Sequence, residues 1–365
     1  MKRFFKAYKN LCLLGAYHFF FVILAYYYAL HHPADSQLYW FKKEYTTHKN
    51  WLDFFNVGTD FILFINYAFA KFLQLPFWFG FLLYGAIGFV GILQFQKLAY
   101  KILGSKEIVV RNVNVLPFLF YLPNLHYWTA NLGKEALCFL WISTILLKLA
   151  QQKYRSLVLW LSLICLFILR PHVFLMLFFP ILVVYFVYKK WNWKFKVGIS
   201  MLGLFVCFLC YYYFLILSRV NSFSWARLQH FNEYSILSFR NSGSYVPILE
   251  YTYPEKFFAF FFRPMFLDAY NIFMAVLSIE NLVLLIVHLI GVYVIIRNFR
   301  SFKFLMIEKI IIGFVCIAFL LYIQRYAGLG IFVRTKVMIQ PFFMIVLLNS
   351  IFKYLTLKRE HTHHD

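Results

Sequence analysis

Apolar runs alternate with short, mostly basic links along nearly the whole chain. Many of the runs approach the roughly 20 residues that a helix needs to span a bilayer. The first run, 11–30, follows the basic start MKRFFKAYKN and leads into a polar, aromatic stretch, 31–56, with Asp35, Glu44 and Asp53. Residues 57–75 are apolar but carry Asp60, Asn66 and Lys71, which predicts an amphipathic helix on or dipping into the membrane interface. Further runs cover 77–95, 108–125, 136–149, 156–169, 173–188, 197–217, 270–296, 304–323 and 337–352. The pattern predicts an all-α, polytopic transmembrane helix bundle of about ten spans. In it, 31–75 is the first outer loop, with its interfacial helix, and 218–264 is the longest outer loop. No internal repeat divides the chain, so the expectation is a single integral-membrane domain over 1–365.

Charge orients this bundle. Lys and Arg cluster at the start, at 97–106, at 148–155, in KKWNWKFK, at 297–303 and near the end. Cytoplasmic loops carry such excesses, so both termini are expected in the cytoplasm. The net charge of +22 therefore reads as topology, with no nucleic acid as partner. With 63% hydrophobic residues and a mean hydropathy of +0.70, the composition excludes a soluble domain, for which about 45–50% apolar is usual. After Ala29 the chain reads LHHPADSQ, without the small-residue spacing of a cleavage site, so the first run is expected to be retained. The six cysteines lie in apolar runs without ligand spacing and read as small core residues with no disulfide framework.

The stretch PNLHYWTANLGKE, 123–135, interrupts two apolar segments with His126, Trp128, Lys134 and Glu135. Irregular polar backbone at a bilayer must pack in protein or line a wet cavity, and ionisable groups there are candidates for function. Lys134 stands at a helix start, the end that disfavours a cation, where with open amides it would bind an anion. Glu135 reads either as a catalytic carboxylate or as a first-turn residue complementing the helix dipole. In LRPHV, Arg170 suits a two-pronged grip on phosphate or a headgroup contact, and His172 is a general acid–base or an interfacial hydrogen-bonding group. Asp35 could deprotonate an acceptor hydroxyl, help hold a divalent ion, or cap a helix. FFRPMFLDAYN brings Arg263 and Asp268, and SIEN puts Glu280 well inside a span, where it needs a basic partner. QRYAGLGIFVRTK collects Arg325, Arg334 and Lys336 in one expected outer loop, against the positive-inside bias, which points to an anionic lipid headgroup or a pyrophosphate.

No P-loop, GxGxxG, HExxH or GxSxG motif occurs, and no matching pair of Gly/Pro-broken spans marks an inverted-repeat transporter. The order of Asp35-Ser36-x-x-Tyr39, PNLHYWTANLGKEAL, LRPH, FFRPMFLDAYN with SIEN, and RxxxxxxxxRxKxxIxPF resembles bacterial polytopic proteins of surface-polysaccharide clusters. These are described as GT-C-type membrane glycosyltransferases or as O-antigen-polymerase-like proteins. The resemblance implies transfer of a sugar from a polyprenyl-phosphate-type donor to a glycan or lipid-linked acceptor, on the outer face of the bacterial inner membrane. Membrane lipids are further partners. It makes Asp35 the acceptor base or the ligand of a divalent cation, Mg or Mn, although no acid adjoins it. His172 and Glu135 are the other catalytic candidates. Lys134, Arg170, Arg263, Arg325, Arg334 and Lys336 would hold phosphate, with His126, Trp128, Asp268 and Glu280 nearby. A repeat-unit polymerase built on Arg170, Arg325 and Arg334 is the alternative, and a flippase of lipid-linked glycan the third class.

Overall fold

The computed structural model describes residues 2–42, 50–104, 109–110, 113–114, 116–218, 224–300 and 302–362. Among the described residues, apart from one pair of two-residue strands, the regular structure is helical. The chain forms two compact units: Met1–Pro171 with Ile290–Val294 and Leu347–Asp365, and His172–Leu289 with Ile295–Val346. Among the described residues, four helices are long and apolar enough to cross a membrane. They are Asn10–His31 within α1 (Lys2–His31), α4 (Phe77–Leu103), α8 (Pro171–Tyr188) and α12 (Ile272–Arg297). A fifth is a bent pair, α14 (Leu329–Lys336) and α15 (Gln340–Thr362), with 59° between them. The expected ten spans also drew on 136–149, 156–169 and 304–323. There the structure has shorter apolar helices, α6 (Lys134–Ala150), α7 (Leu157–Leu169) and α13 (Met306–Tyr322).

In the first unit, α4 is the hub, packed against α1, α6 and α5 (Pro123–Ala130). Helix α1 buries Leu14, His18, Val22, Ala25 and Ala29, a three-to-four-residue spacing, and leaves Phe19, Phe20, Ile23 and Tyr27 exposed. So apolar an exposed face suits lipid rather than water.

The run at 108–125 is not the continuous helix its apolar character suggested. Val109–Val110 pairs antiparallel with Val113–Asn114, Leu116–Phe120 is a 3-10 turn, and α5 follows after Tyr121 and Leu122. Pro117 and Pro123 and the β-branched valines explain the break. The irregular segment still runs antiparallel to α4. Phe120 meets the Tyr100 and Phe95 rings, Thr129 lies on Gly88, and Leu132 on Gly80. From position 100 to position 80 an α-helix rises about 30 Å, the thickness of a hydrocarbon core. The polar interruption is therefore packed along α4.

In the second unit, the stretch read as the longest outer loop contains two helices, α10 (Trp225–Leu237) and α11 (Tyr253–Phe262). Thr252 caps α11, its amide and hydroxyl donating to Glu255 Oε2 at 2.7 and 2.8 Å. α11 packs on α14. The sequence QRYAGLGIFVRTK is likewise no simple loop: from Leu329 it is helical, and Phe332, Val333 and Lys336 are buried.

Candidate functional site

The first unit holds Asp35, Lys134, Glu135 and Arg170, and Lys134 lies against the short helix that Asp35 opens. α2 (Asp35–Trp40) is held by its last two residues. Trp40 and Leu132 close over Gly80 of α4, where an added Cβ would lie 2.8 and 2.4 Å from them. The Tyr39 carbonyl accepts from Asn66 Nδ2 at 3.2 Å, and Asn66 Oδ1 accepts from Tyr84 OH at 2.8 Å. Asn66 belongs to α3 (Thr59–Tyr67) and Tyr84 to α4, so the stretch after the first span is clamped to the bundle. The Gly58 amide adds a bond to the Ile168 carbonyl of α7 at 2.8 Å.

Asp35 is the first residue of α2 and is exposed; Ala34, not Asp35, occupies the cap position. Residues four apart share a helix face, which puts Asp35 in line with Tyr39. The half-buried Lys134 places its Nζ 6.0 Å from the Tyr39 ring centre and donates to Thr59 Oγ1 at 2.6 Å. One residue on, the buried Glu135 accepts a hydrogen bond from Arg170 Nη2, with 2% and 10% of the two side chains exposed. Gly133 leaves room for that carboxylate: an added Cβ would stand 3.1 Å from Glu135 Oε2. The charge of Arg170, expected on phosphate, is thus met by Glu135.

His126 lies elsewhere. Its Nδ1 is 3.0 Å from Nδ1 of His18, and its Nε2 is 2.7 Å from the Phe120 carbonyl. The neighbouring Tyr121 carbonyl accepts from Tyr17 OH at 3.1 Å. His126 and Tyr17 so satisfy carbonyls released by the break before α5, a backbone task rather than a ligand site. Trp128 is half-buried, its ring 5.4 Å from Tyr127.

The remaining candidates belong to the second unit. Arg263 holds Asp268 with Nε at 3.0 Å and with Nη2, and reaches Tyr251 OH at 3.2 Å. Burial pushes the Asp268 carboxyl up, but hydrogen bonds from Arg263 and the Met265 amide, with the Arg263 charge, outweigh it and hold it below its ordinary value. The bond to Asp268 in turn raises the Arg263 guanidinium.

Lys336, expected in a short outer loop, is 1% exposed. Its Nζ donates to the carbonyls of Phe261 and Arg263, both at 3.2 Å, and to Asn281 Oδ1 at 2.7 Å. An ammonium has three N–H bonds, so none is left for phosphate, which corrects the expected role. Asn281 and Gln340 complete the knot, donating to Pro264 O at 2.8 Å and Phe261 O at 3.1 Å. The buried Glu280 supplies the opposing charge that acts on Lys336. His172 begins this unit with its ring 6.5 Å from Tyr322, and Arg334 is half-buried in α14.

Among the described residues no group of three or more His, Cys, Asp or Glu side chains is placed to hold a metal ion. Cys138 is buried, but Cys12 and Cys316 are exposed and so are not core residues; the side chains of Cys207 and Cys210, like Glu44, lie outside the described residues. Sequence reasoning gave no role to His18 and Thr59, and none beyond polar marks of their segments to Asn66 and Asn281. The last two are buried amides within apolar helices, a signal as strong as Glu280 itself. No family model, curated protein or solved structure matches the chain.

Proposed function

We propose that the protein is a GT-C-like membrane glycosyltransferase, using a polyprenyl-phosphate-type sugar donor in cell-envelope polysaccharide assembly. In this reading it sits in a bacterial inner membrane, basic links inside and α2 outside. One observation carries it: an exposed carboxylate, Asp35, shares a face of α2 with Tyr39, and Lys134 lies against that Tyr39 ring. Glycosyl transfer from a lipid phosphate needs both a base and a cation. The acceptor hydroxyl oxygen attacks the anomeric carbon and the bond from that carbon to the phosphate oxygen breaks with its electron pair. Asp35 takes the hydroxyl proton, and the Lys134 ammonium balances the charge growing on the departing lipid phosphate. Inversion at the anomeric carbon follows from single displacement.

The test is Asp35→Asn at matched membrane abundance, read as glycan output with lipid-linked intermediates identified by mass spectrometry. Losing a general base costs about 10²–10⁴ in rate, so output should collapse while unmodified acceptor accumulates. Near-normal output removes Asp35 and with it this mechanism. Accumulated single repeat units would instead indicate the polymerase.

A further inference from the structure

Of the three cations that the sequence gathers after α13, the structure treats each differently. Lys336 is committed to oxygen acceptors inside the second unit, and Arg334 has interactions of its own. Arg325 is the exception. It is half-buried, with its guanidinium carbon 4.3 Å from the centre of the Phe231 ring on α10. Among the described residues its side chain makes no ion pair and no hydrogen bond. Desolvation by its surroundings lowers the affinity of Arg325 for its proton, partly offset by the neighbouring Tyr326. A guanidinium that gives up part of its hydration without receiving a carboxylate is poised for an anion from outside, since its planar fork matches phosphate oxygens.

The surroundings fix the chain on either side of Arg325. Asn232, next to Phe231, donates to Gln324 Oε1 at 3.2 Å, tying α10 to the residue before Arg325. On the other side, Val246 donates to Ala327 O at 2.8 Å and Leu329 to Ser244 O at 2.9 Å. These bonds fix the chain between Arg325 and α14. Gly330 is exposed, and nothing stands within 4 Å of the place its Cβ would occupy, so the approach beside the helix start is open. On α10, Trp225 and Tyr234 are 67% and 68% exposed. Amphipathic aromatics of this kind favour a membrane interface, where phosphate arrives attached to an apolar chain.

We propose that Arg325, stacked on Phe231, binds the phosphate of an amphiphile. Two sources share this chemistry, a phospholipid headgroup and an isoprenoid diphosphate. The site does not depend on the glycosyl-transfer reading, which rests on Asp35 and Lys134 in the other unit.

The experiment measures equilibrium binding to the purified full chain in uncharged detergent, with dioctanoyl phosphatidylglycerol and farnesyl diphosphate as separate probes. Charge-assisted hydrogen bonds are worth enough that Arg325→Ala should weaken binding about tenfold or more. Arg325→Lys keeps the charge but loses the fork and the stacking, and should fall between. Phe231→Leu should weaken binding with Arg325 intact. Thermal midpoints report folding, and if the alanine variant does not fold, the lysine variant alone decides. A loss confined to one probe identifies the source. Wild-type affinity for both probes in folded Arg325 variants overturns the site.

Discussion

At the scale of the residue, what decides a charge's role is the partner that folding gives it. Arg170 and Glu135 are separated by two helices in sequence, α6 and α7, and read singly as a phosphate grip and a dipole or catalytic carboxylate. Buried together, each is the other's counter-ion. Removing one member of a buried pair typically costs about 3–5 kcal/mol, because the other charge remains without compensation. Arg170→Ala should therefore lower the thermal midpoint in detergent sharply. A paired Glu135→Met, Arg170→Met variant should recover much of the loss. If Arg170→Ala melts like the wild type, the pair carries no such burden and Arg170 returns to the list of ligand groups.

At the scale of the element, α4 explains why the interrupted segment can exist at all. Two of its carbonyls, those of Tyr121 and Phe120, are met by Tyr17 and His126, and its approach to α4 is closest at Gly88. A methyl there would lie 1.9 Å from the Thr129 carbonyl oxygen. Backbone cannot yield as a flexible side chain does, and overpacking costs about 1–3 kcal/mol or more. Gly88→Ala should consequently destabilise the folded protein by at least that amount, while Gly198→Ala, which has nothing within 4 Å, should not. Equal melting of the two variants would show that the segment does not lie against α4. The bend between α14 and α15 follows the same logic: the turn carries Lys336, whose ammonium finds oxygen acceptors from α11, the segment after it and α12.

At the scale of the whole molecule, the alternation of basic and aromatic polar links is the statement about orientation. The positive-inside bias predicts a cytoplasmic KKWNWKFK and an outward 240s segment. Cysteines introduced at Ser242 and Asn192, both exposed, should behave oppositely in intact spheroplasts. An impermeant thiol reagent should modify the first and spare the second, until the membrane is opened. Labelling at Asn192 from outside would invert the orientation and remove the outward glycosyl-transfer reading with it.

Apolar run length and charge are local quantities, so the sequence by itself determined that the chain is helical, that several helices can cross a bilayer, and where the polar interruptions fall. It also marked Asp35, Lys134, Glu135, Arg170 and Arg263 before any fold was known. What it could not carry was pairing, because an ion pair or a buried hydrogen bond depends on which helices become neighbours. Only the tertiary structure decided that Arg170 belongs to Glu135 and Arg263 to Asp268, and that Lys336 is a buried tie rather than a loop cation. The same holds for the segment along α4, whose polar residues at 123–135 marked a break but not its course. That course is set by a row of small residues on α4, Gly80 and Gly88 among them, that lets another backbone approach.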